Sequence, residues 1–361
     1  MPIAPPCETL LDQPAMALMD LFGRMRAMTD GIGFQGTLPA VWQCSDETQG
    51  IKKALFGYVY DCPVFNLGRV GALLDPTRLG PASHHGRDLV ILGGSHIGAV
   101  EKGGIGYVER VNGKVVPCCG MLHRVLEPYL TLYHRAAALI TLFRGVGGIK
   151  IEIPYKYLFR KPPGEVTQIH VTLRQLVDGE AIRESTHGKV YRLNPEFANR
   201  HQQALAELGK EARSLAELLD PNCFRFVKRL NKESFDPGGM LEASIFDFLP
   251  EIVTARYPHR RLSDVNTWRQ FHRLASYLVD SFDSGDRNIL VVAGLTLDHS
   301  IFHNTFVPQF GFLMEQGRAL QARYFGPREI NEHLCGQTIF QPRQSFLEFA
   351  GVSPSTPDRR S

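Results

Sequence analysis

The chain has 361 residues, with 40 basic against 37 acidic side chains (net +3), 43% apolar residues, 21% charged residues and seven cysteines. This composition excludes a disordered chain, which would be poorer in apolar residues, and a small disulfide scaffold, which would be shorter and denser in Cys. A near-balanced charge gives no basic footprint for nucleic acid, because such a footprint has to be clustered.

The first residues show no basic segment followed by an apolar one, and no run of 18 apolar residues occurs, so neither a signal peptide nor a membrane span is expected. An odd cysteine count with two adjacent thiols, Cys118 and Cys119, argues against a disulfide framework and for a reducing, cytoplasmic setting. Residues 1–39 read as an N-terminal helical segment, with a Met-rich amphipathic stretch from Ala15 to Met28. Leu38 to Gln43 reads as a short strand stopping at Cys44-Ser45-Asp46-Glu47, and an apolar stretch with two lysines runs from Ile51 to Tyr60. After a Gly/Pro-punctuated region comes the clearest strand, Asp88 to Leu92, ended by Gly93-Gly94. An apolar run without alternation suits a strand covered on both faces, as in a parallel sheet.

Gly103 to Lys114 reads as a hairpin with its turn at Asn112-Gly113. Met121 to Arg144 reads as a helix apolar nearly all round, hence central. From 149 to 193 the pattern alternates (Ile149, Ile151, Ile153; Ile169, Val171, Leu173), predicting an antiparallel excursion. Helices are expected at Pro195 to Asp220 and Asn266 to Asp283, and a second buried strand at Asn288 to Val292. The tail after Arg343 turns polar and reads as disordered. The fold class is α/β, a mainly parallel sheet flanked by helices, with an added β-rich and helical insertion. The expected organisation is 1–39, a site-bearing half at 40–148, the insertion at 149–220, a C-terminal half at 221–320, and a tail at 321–361.

Three pieces carry candidate chemistry: Cys44-x-Asp46, Gly93-Gly-Ser-His96 directly after a strand, and Pro117-Cys118-Cys119-Gly120 directly before a helix. Ligands gather at the carboxyl ends of strands in open α/β sheets. A helix start favours a thiolate. Two thiolates and one imidazole suit zinc, with a fourth tetrahedral position left open. Buried Cys are also ordinary small hydrophobes, so each residue alone would read as core.

The order of these pieces resembles the low-carbon-dioxide-inducible proteins of algae, the LCIB/LCIC group or theta-class carbonic anhydrases. The likeness runs through Cys44-Ser45-Asp46-Glu47, Phe65-Asn-Leu-Gly68, His84-His85, Gly94-Ser95-His96-Ile97-Gly98, Gly103-Gly-Ile-Gly106 through Arg110, and Cys118-Cys119-Gly120. Ile289 to Gly294 and Phe306-Val-Pro308 match more weakly. The resemblance implies a fold similar to β-carbonic anhydrases and a homodimer or higher homo-oligomer, with no nucleic-acid or membrane partner. It also implies reversible hydration of carbon dioxide to bicarbonate by a zinc-bound hydroxide. Carried over residue by residue, it places the metal ligands at Cys44, His96 and Cys119, with Cys118 as the alternative, and gives Asp46 the orienting role.

In β-type enzymes an Arg two residues after the Asp holds it, but here that position is Thr48. Lys52, Lys53 and Arg69 are the candidate replacements, and no lysine makes the bidentate fork. This departure, with the insertion, leaves two other functions open: a catalytically silent binding or regulatory protein, and a zinc hydrolase of another small electrophile. Asp298, His299 and His303 contain an i,i+4 His pair and form a weaker second metal candidate. Tyr58, Tyr60 and Phe65 could line an apolar pocket, with ordinary core as the default.

Overall fold

The apolar run near residue 90 forms a strand, Leu89–Gly93, with all five residues buried, as its lack of alternation predicts. The structure, a computed structural model, describes residues 14–80, 85, 87–100, 104–110, 112–155, 168–208, 211–215, 218–228, 236–300 and 303–337. The chain divides into two units, one of residues 1–123 and 262–361 and one of residues 124–261. The expected polar tail after Arg343 lies outside the described residues.

The elements used below are, in chain order, α1 (Leu18–Ile32), β1 (Leu38–Trp42), α2 (Gly50–Tyr60), β2 (Leu89–Gly93), β3 (His96–Val100), α3 (Gly120–Leu139), α4 (Pro258–Asp280), β4 (Ile289–Asp298), β5 (Asn304–Met314) and α5 (Pro327–Cys335). In the first unit β1, β2 and β4 are parallel neighbours, with Leu38 opposite Leu89 and Leu89 opposite Ile289. β4 is ten residues long, and β2 and β3 pair end to end along one edge of it, with Thr296 opposite His96. β5 runs antiparallel along its other edge. The α/β class with a largely parallel sheet flanked by helices is therefore present.

The step from β2 to β3 depends on glycine. Gly94 has φ +137, and a Cβ there would lie 1.7 Å from the Gly294 carbonyl oxygen, so no L side chain fits. Asp88 fastens the strand starts: its carboxylate accepts from the backbone N–H of Gln35 (2.6 Å) and of Asn288 (2.7 Å). On one side of the sheet Leu21, Phe22 and Met25 of α1 join Phe56, Val41, Val90, Leu92, Leu290, Val292 and Phe306 in one core cluster. Burying each large apolar side chain of this kind contributes about 1.5–3 kcal/mol. Tyr58 and Tyr60 belong to the same cluster, the ordinary core reading.

Expectations for four elements change. The helix expected to reach Arg144 stops at Leu139, because Thr141–Gly145 turns back as a strand on Gly148–Pro154. That helix is also amphipathic, with Arg124, Glu127 and Arg135 exposed and Leu122, Leu126, Tyr129 and Ala137 buried. The single helix expected over 195–220 is two short ones, Pro195–Arg200 and Gln202–Ala206. The Arg144 guanidinium takes up the Leu208 (2.7 Å) and Leu205 (3.3 Å) carbonyls and so satisfies the end of the second. The helix expected from Asn266 begins at Pro258, and the strand expected over 288–292 runs on to Asp298.

In the second unit the alternating segment forms antiparallel strands as expected. Gly148–Pro154 pairs with Gly188–Leu193, which pairs with Val177–Glu184. Gln168–Val171 pairs separately with Phe224–Val227. Among the described residues no helix is long and apolar enough to cross a membrane.

Candidate metal centre

Two thiols from distant parts of the chain meet in the first unit. Cys44 follows the end of β1, and Cys119 immediately precedes α3. Their sulfurs stand 3.6 Å apart and both residues are buried. Two thiolates each about 2.3 Å from one tetrahedral zinc ion would stand about 3.8 Å apart, so the spacing fits one edge of such a site. His96, the first residue of β3, places a ring nitrogen within 4.8 Å of both sulfurs.

The imidazole is held from the far side. Its Nδ1 lies 2.6 Å from Asp298 Oδ2, and His96 and Asp298 are 1% and 0% exposed. Nε2 is buried with no hydrogen-bond partner among the described residues. A buried polar atom without a partner is costly, and a lone pair aimed at a metal resolves it. A carboxylate that takes the other ring N–H fixes the tautomer and makes the ligand more basic. Sulfur, sulfur and imidazole nitrogen form a donor set suited to zinc, so the residues present fit the ion that the sequence implied.

The loops around Cys44 are built for a thiolate. The Gly71 N–H donates to Cys44 Sγ at 3.2 Å, and Gly71 has φ +74, the left-handed region open to glycine. Asn266 on α4 holds that loop by donating to the Gly71 carbonyl (2.9 Å) and to Ser95 Oγ (2.9 Å). Thr267 accepts from the Ser95 N–H at 2.9 Å, so the same helix also fixes the residue before His96. The hydrogen bond from Cys119 is the largest influence lowering the Cys44 pKa; burial opposes it, and His96 and the Gly71 N–H assist. Cys119 is correspondingly pushed up, first by that shared proton and then by burial.

Cys118 plays a different part. Its Sγ donates to Asp298 Oδ2 at 3.3 Å, and burial pushes its pKa up to about 11. It therefore stays a thiol that helps hold Asp298, while Cys119 faces Cys44. Burial disfavours a charged His96 ring, but the Cys119 sulfur and the Asp298 hydrogen bond outweigh it and raise the pKa.

Asp298 is the hub that sequence reasoning placed elsewhere. The sequence pattern places it with His299 and His303, yet its carboxylate also accepts from Thr48 Oγ1 (3.0 Å), Gln49 Nε2 (3.0 Å) and Asn304 Nδ2. Burial works against the charged carboxylate, but the hydrogen bonds from His96, Cys118 and Thr48 outweigh it and keep the pKa low. His299 is occupied by the Ala99 carbonyl (3.1 Å) and Thr305 (3.0 Å). The i,i+4 pair sits at a strand end rather than on a helix, so the second metal candidate does not form there.

Asp46 caps the short turn Glu47–Gln49, its Oδ1 accepting from the Thr48 N–H (3.1 Å) and hydroxyl (2.9 Å). A carboxylate oxygen of Asp46 lies within 4.8 Å of a His96 nitrogen and of Cys118 Sγ. At 14% exposure it is the most open of these groups. Thr48 is thus no simple gap where an Arg was expected: one hydroxyl stands between Asp46 and Asp298 and its single proton serves one at a time.

The cation on Asp46 is none of the three expected ones. Arg110 Nη2 lies 3.7 Å from Asp46 Oδ2 and the same guanidinium also binds Glu47. Arg69 is engaged by Asp75. Lys52 is fully buried with Nζ donating to Thr296 Oγ1 at 2.9 Å, in the residue opposite His96. Burial pulls its pKa down to about 8 against the attraction of Asp298 and Cys44. Its charge balances the buried Asp298, as that of Arg110 balances Asp46. Of the histidine pair, His84 lies outside the described residues, and His85 packs edge-on against Phe65 with ring centroids 5.9 Å apart.

No protein-family model and no curated protein sequence matches the chain. Solved structures do. PtLCIB4, a homolog of the limiting CO2-inducible protein LCIB, matches at a TM-score of 0.52 and 15% identity, over 86% of this chain and 94% of that one. A histidine-to-alanine variant of PtLCIB4 matches at 0.51 and 15%, over 84% and 91%. At this identity the likeness speaks to fold. The resemblance first read from six short motifs is therefore present in the architecture, and this chain has the fold of the limiting CO2-inducible protein homologs.

Proposed function

We propose that this protein is a zinc-dependent carbonic anhydrase that interconverts carbon dioxide and bicarbonate. The observation that carries the reading is the buried trio of Cys44, Cys119 and His96, with sulfurs 3.6 Å apart and an unpartnered Nε2. Cys44, His96 and Cys119 would hold the ion. Zinc, when bound, supplies Lewis acidity that lowers the pKa of a water toward ~7 and so provides a nucleophile at neutral pH.

The remaining roles belong to the chain. Asp298 accepts a hydrogen bond from His96 Nδ1–H and so fixes which nitrogen faces the site. Asp46 presents a carboxylate whose Oδ1 is tied to Thr48, so its acceptor geometry is set before substrate arrives. It orients the reacting water and takes the proton released on the way to bicarbonate. Arg110 draws Asp46 to its own side. A neutral substrate as small as carbon dioxide needs no charged steering surface, in keeping with a net charge of only +3.

One observation favours the silent alternative. Asp46 lies within ligand reach of His96 and Cys118, and a 3.7 Å contact to an Arg that also serves Glu47 is a loose tether. Release of Asp46 would let it occupy the open position and close the site. Stopped-flow hydration of carbon dioxide by the zinc-loaded chain separates the two. A zinc-dependent rate supports the enzyme; full zinc loading without hydration supports the closed, silent form.

A further inference from the structure

The unit of residues 124–261 contains a cavity of about 740 Å³ whose chemistry has no part in the reading above. Three arginines reach it from three different elements. Arg174 lies on the short helix Leu173–Leu176, Arg200 ends the helix Pro195–Arg200, and Arg225 lies on the strand Phe224–Val227. His170 is directly opposite Arg225 across the antiparallel pair, so both project from the same face of that ribbon.

The charges are unevenly compensated. Arg200 is fixed by Asp220, with Nη2 3.1 Å from Oδ2. That carboxylate is itself held by the Asn222 N–H (2.9 Å) and the Cys223 thiol (3.2 Å). Arg174 and Arg225 make no ion pair with any described residue. Among the described residues no carboxylate lines the cavity, while Gln175 and Asn222 add amide groups to its wall.

We infer that this cavity binds a compact polyanion carrying two or more phosphate groups on a polar body. Planar guanidinium forks match phosphate oxygens two at a time, and Arg174 and Arg225 pair with no described carboxylate, while Arg200 is held in place by Asp220. The volume falls in the range of about 300–1,000 Å³ typical of small-molecule sites and exceeds what a single phosphate fills. Among the described residues no phenylalanine, tyrosine or tryptophan lines it, so these residues offer a nucleobase no stacking platform. A sugar bisphosphate or an inorganic polyphosphate fits this chemistry better than a nucleotide.

The test is calorimetric titration of the full chain with inorganic pyrophosphate and, separately, orthophosphate, at physiological salt. The proposal expects saturable one-site binding of pyrophosphate, at least roughly tenfold tighter than orthophosphate. Arg174→Gln and Arg225→Gln should each weaken it by roughly tenfold or more, while Arg192→Gln, on a strand outside the cavity, should leave it unchanged. Thermal melts that match the parent confirm that each variant folds. Absence of saturable binding at millimolar pyrophosphate overturns the proposal. So does unaltered binding in both cavity variants, or an equal loss in Arg192→Gln, which would mark general surface charge. None of these outcomes depends on the metal centre.

Discussion

Lys52 offers the sharpest physical test of the network behind the metal centre. Its ammonium is wholly buried and donates to Thr296, and burial lowers its pKa from 10.5 to about 8. A lysine with a depressed folded pKa penalises folding at every pH where it must be charged. Between pH 8 and 10.5 the unfolded chain keeps the proton that the folded chain has lost, so stability rises with pH across that window. A gap of about 2.5 units corresponds to about 3 kcal/mol at about 1.4 kcal/mol per unit. Lys52→Met fills the same space without the charge. It should stabilise the metal-free protein at pH 7 by about 2 kcal/mol, once about 1 kcal/mol is allowed for the hydrogen bond lost by Thr296. The assay is urea unfolding of the chelator-treated protein at a series of pH values, read as the difference between parent and variant. The advantage of the variant should be constant below pH 8 and fade by 10.5. A flat difference, or a variant less stable at pH 7, would refute the reasoning.

Three further outcomes follow from the site. Asp298→Asn removes the carboxylate that fixes His96 and should weaken zinc binding about 10–100-fold, measured by competition with a chromophoric chelator; undiminished affinity would remove Asp298 from that role. Cys119→Ser should abolish stoichiometric zinc, whereas Cys118→Ser should retain it, because Cys118 donates to Asp298; the reverse pattern by metal analysis would exchange the two assignments. Asp46→Ala should lower kcat by roughly 100-fold or more while zinc content stays constant. Loss of zinc with loss of rate would instead make Asp46 a ligand.

The legible part of this protein was local. Cys44, His96 and Cys119 each sit beside an element boundary that the sequence marks: the end of an apolar run, a Gly-Gly break, and a Cys-Gly step into a helix. Their order pointed to one centre and the structure brings them together. What escaped was set by pairing over long distances. Asp298 reaches His96 because β4 runs past β2 and pairs Thr296 with His96, a register that no local pattern encodes. Arg110 reaches Asp46 from the hairpin strand Tyr107–Glu109 and its turn, although the motif ending at Arg110 was visible in the sequence. Asn266 and Thr267 were hidden differently. They lie on a helix recognised by its apolar spacing, and polar residues on such a helix read as solvent-facing until the loops they hold are seen.

The central claim is that two cysteine sulfurs and one histidine nitrogen hold a zinc ion in this chain. X-ray absorption at the zinc edge of the reconstituted protein tests it directly. The account predicts two sulfur scatterers at about 2.3 Å and one imidazole nitrogen at about 2.0–2.1 Å, with one sulfur lost in Cys44→Ser. A first shell of only nitrogen and oxygen, or a spectrum indifferent to Cys44→Ser, would contradict it.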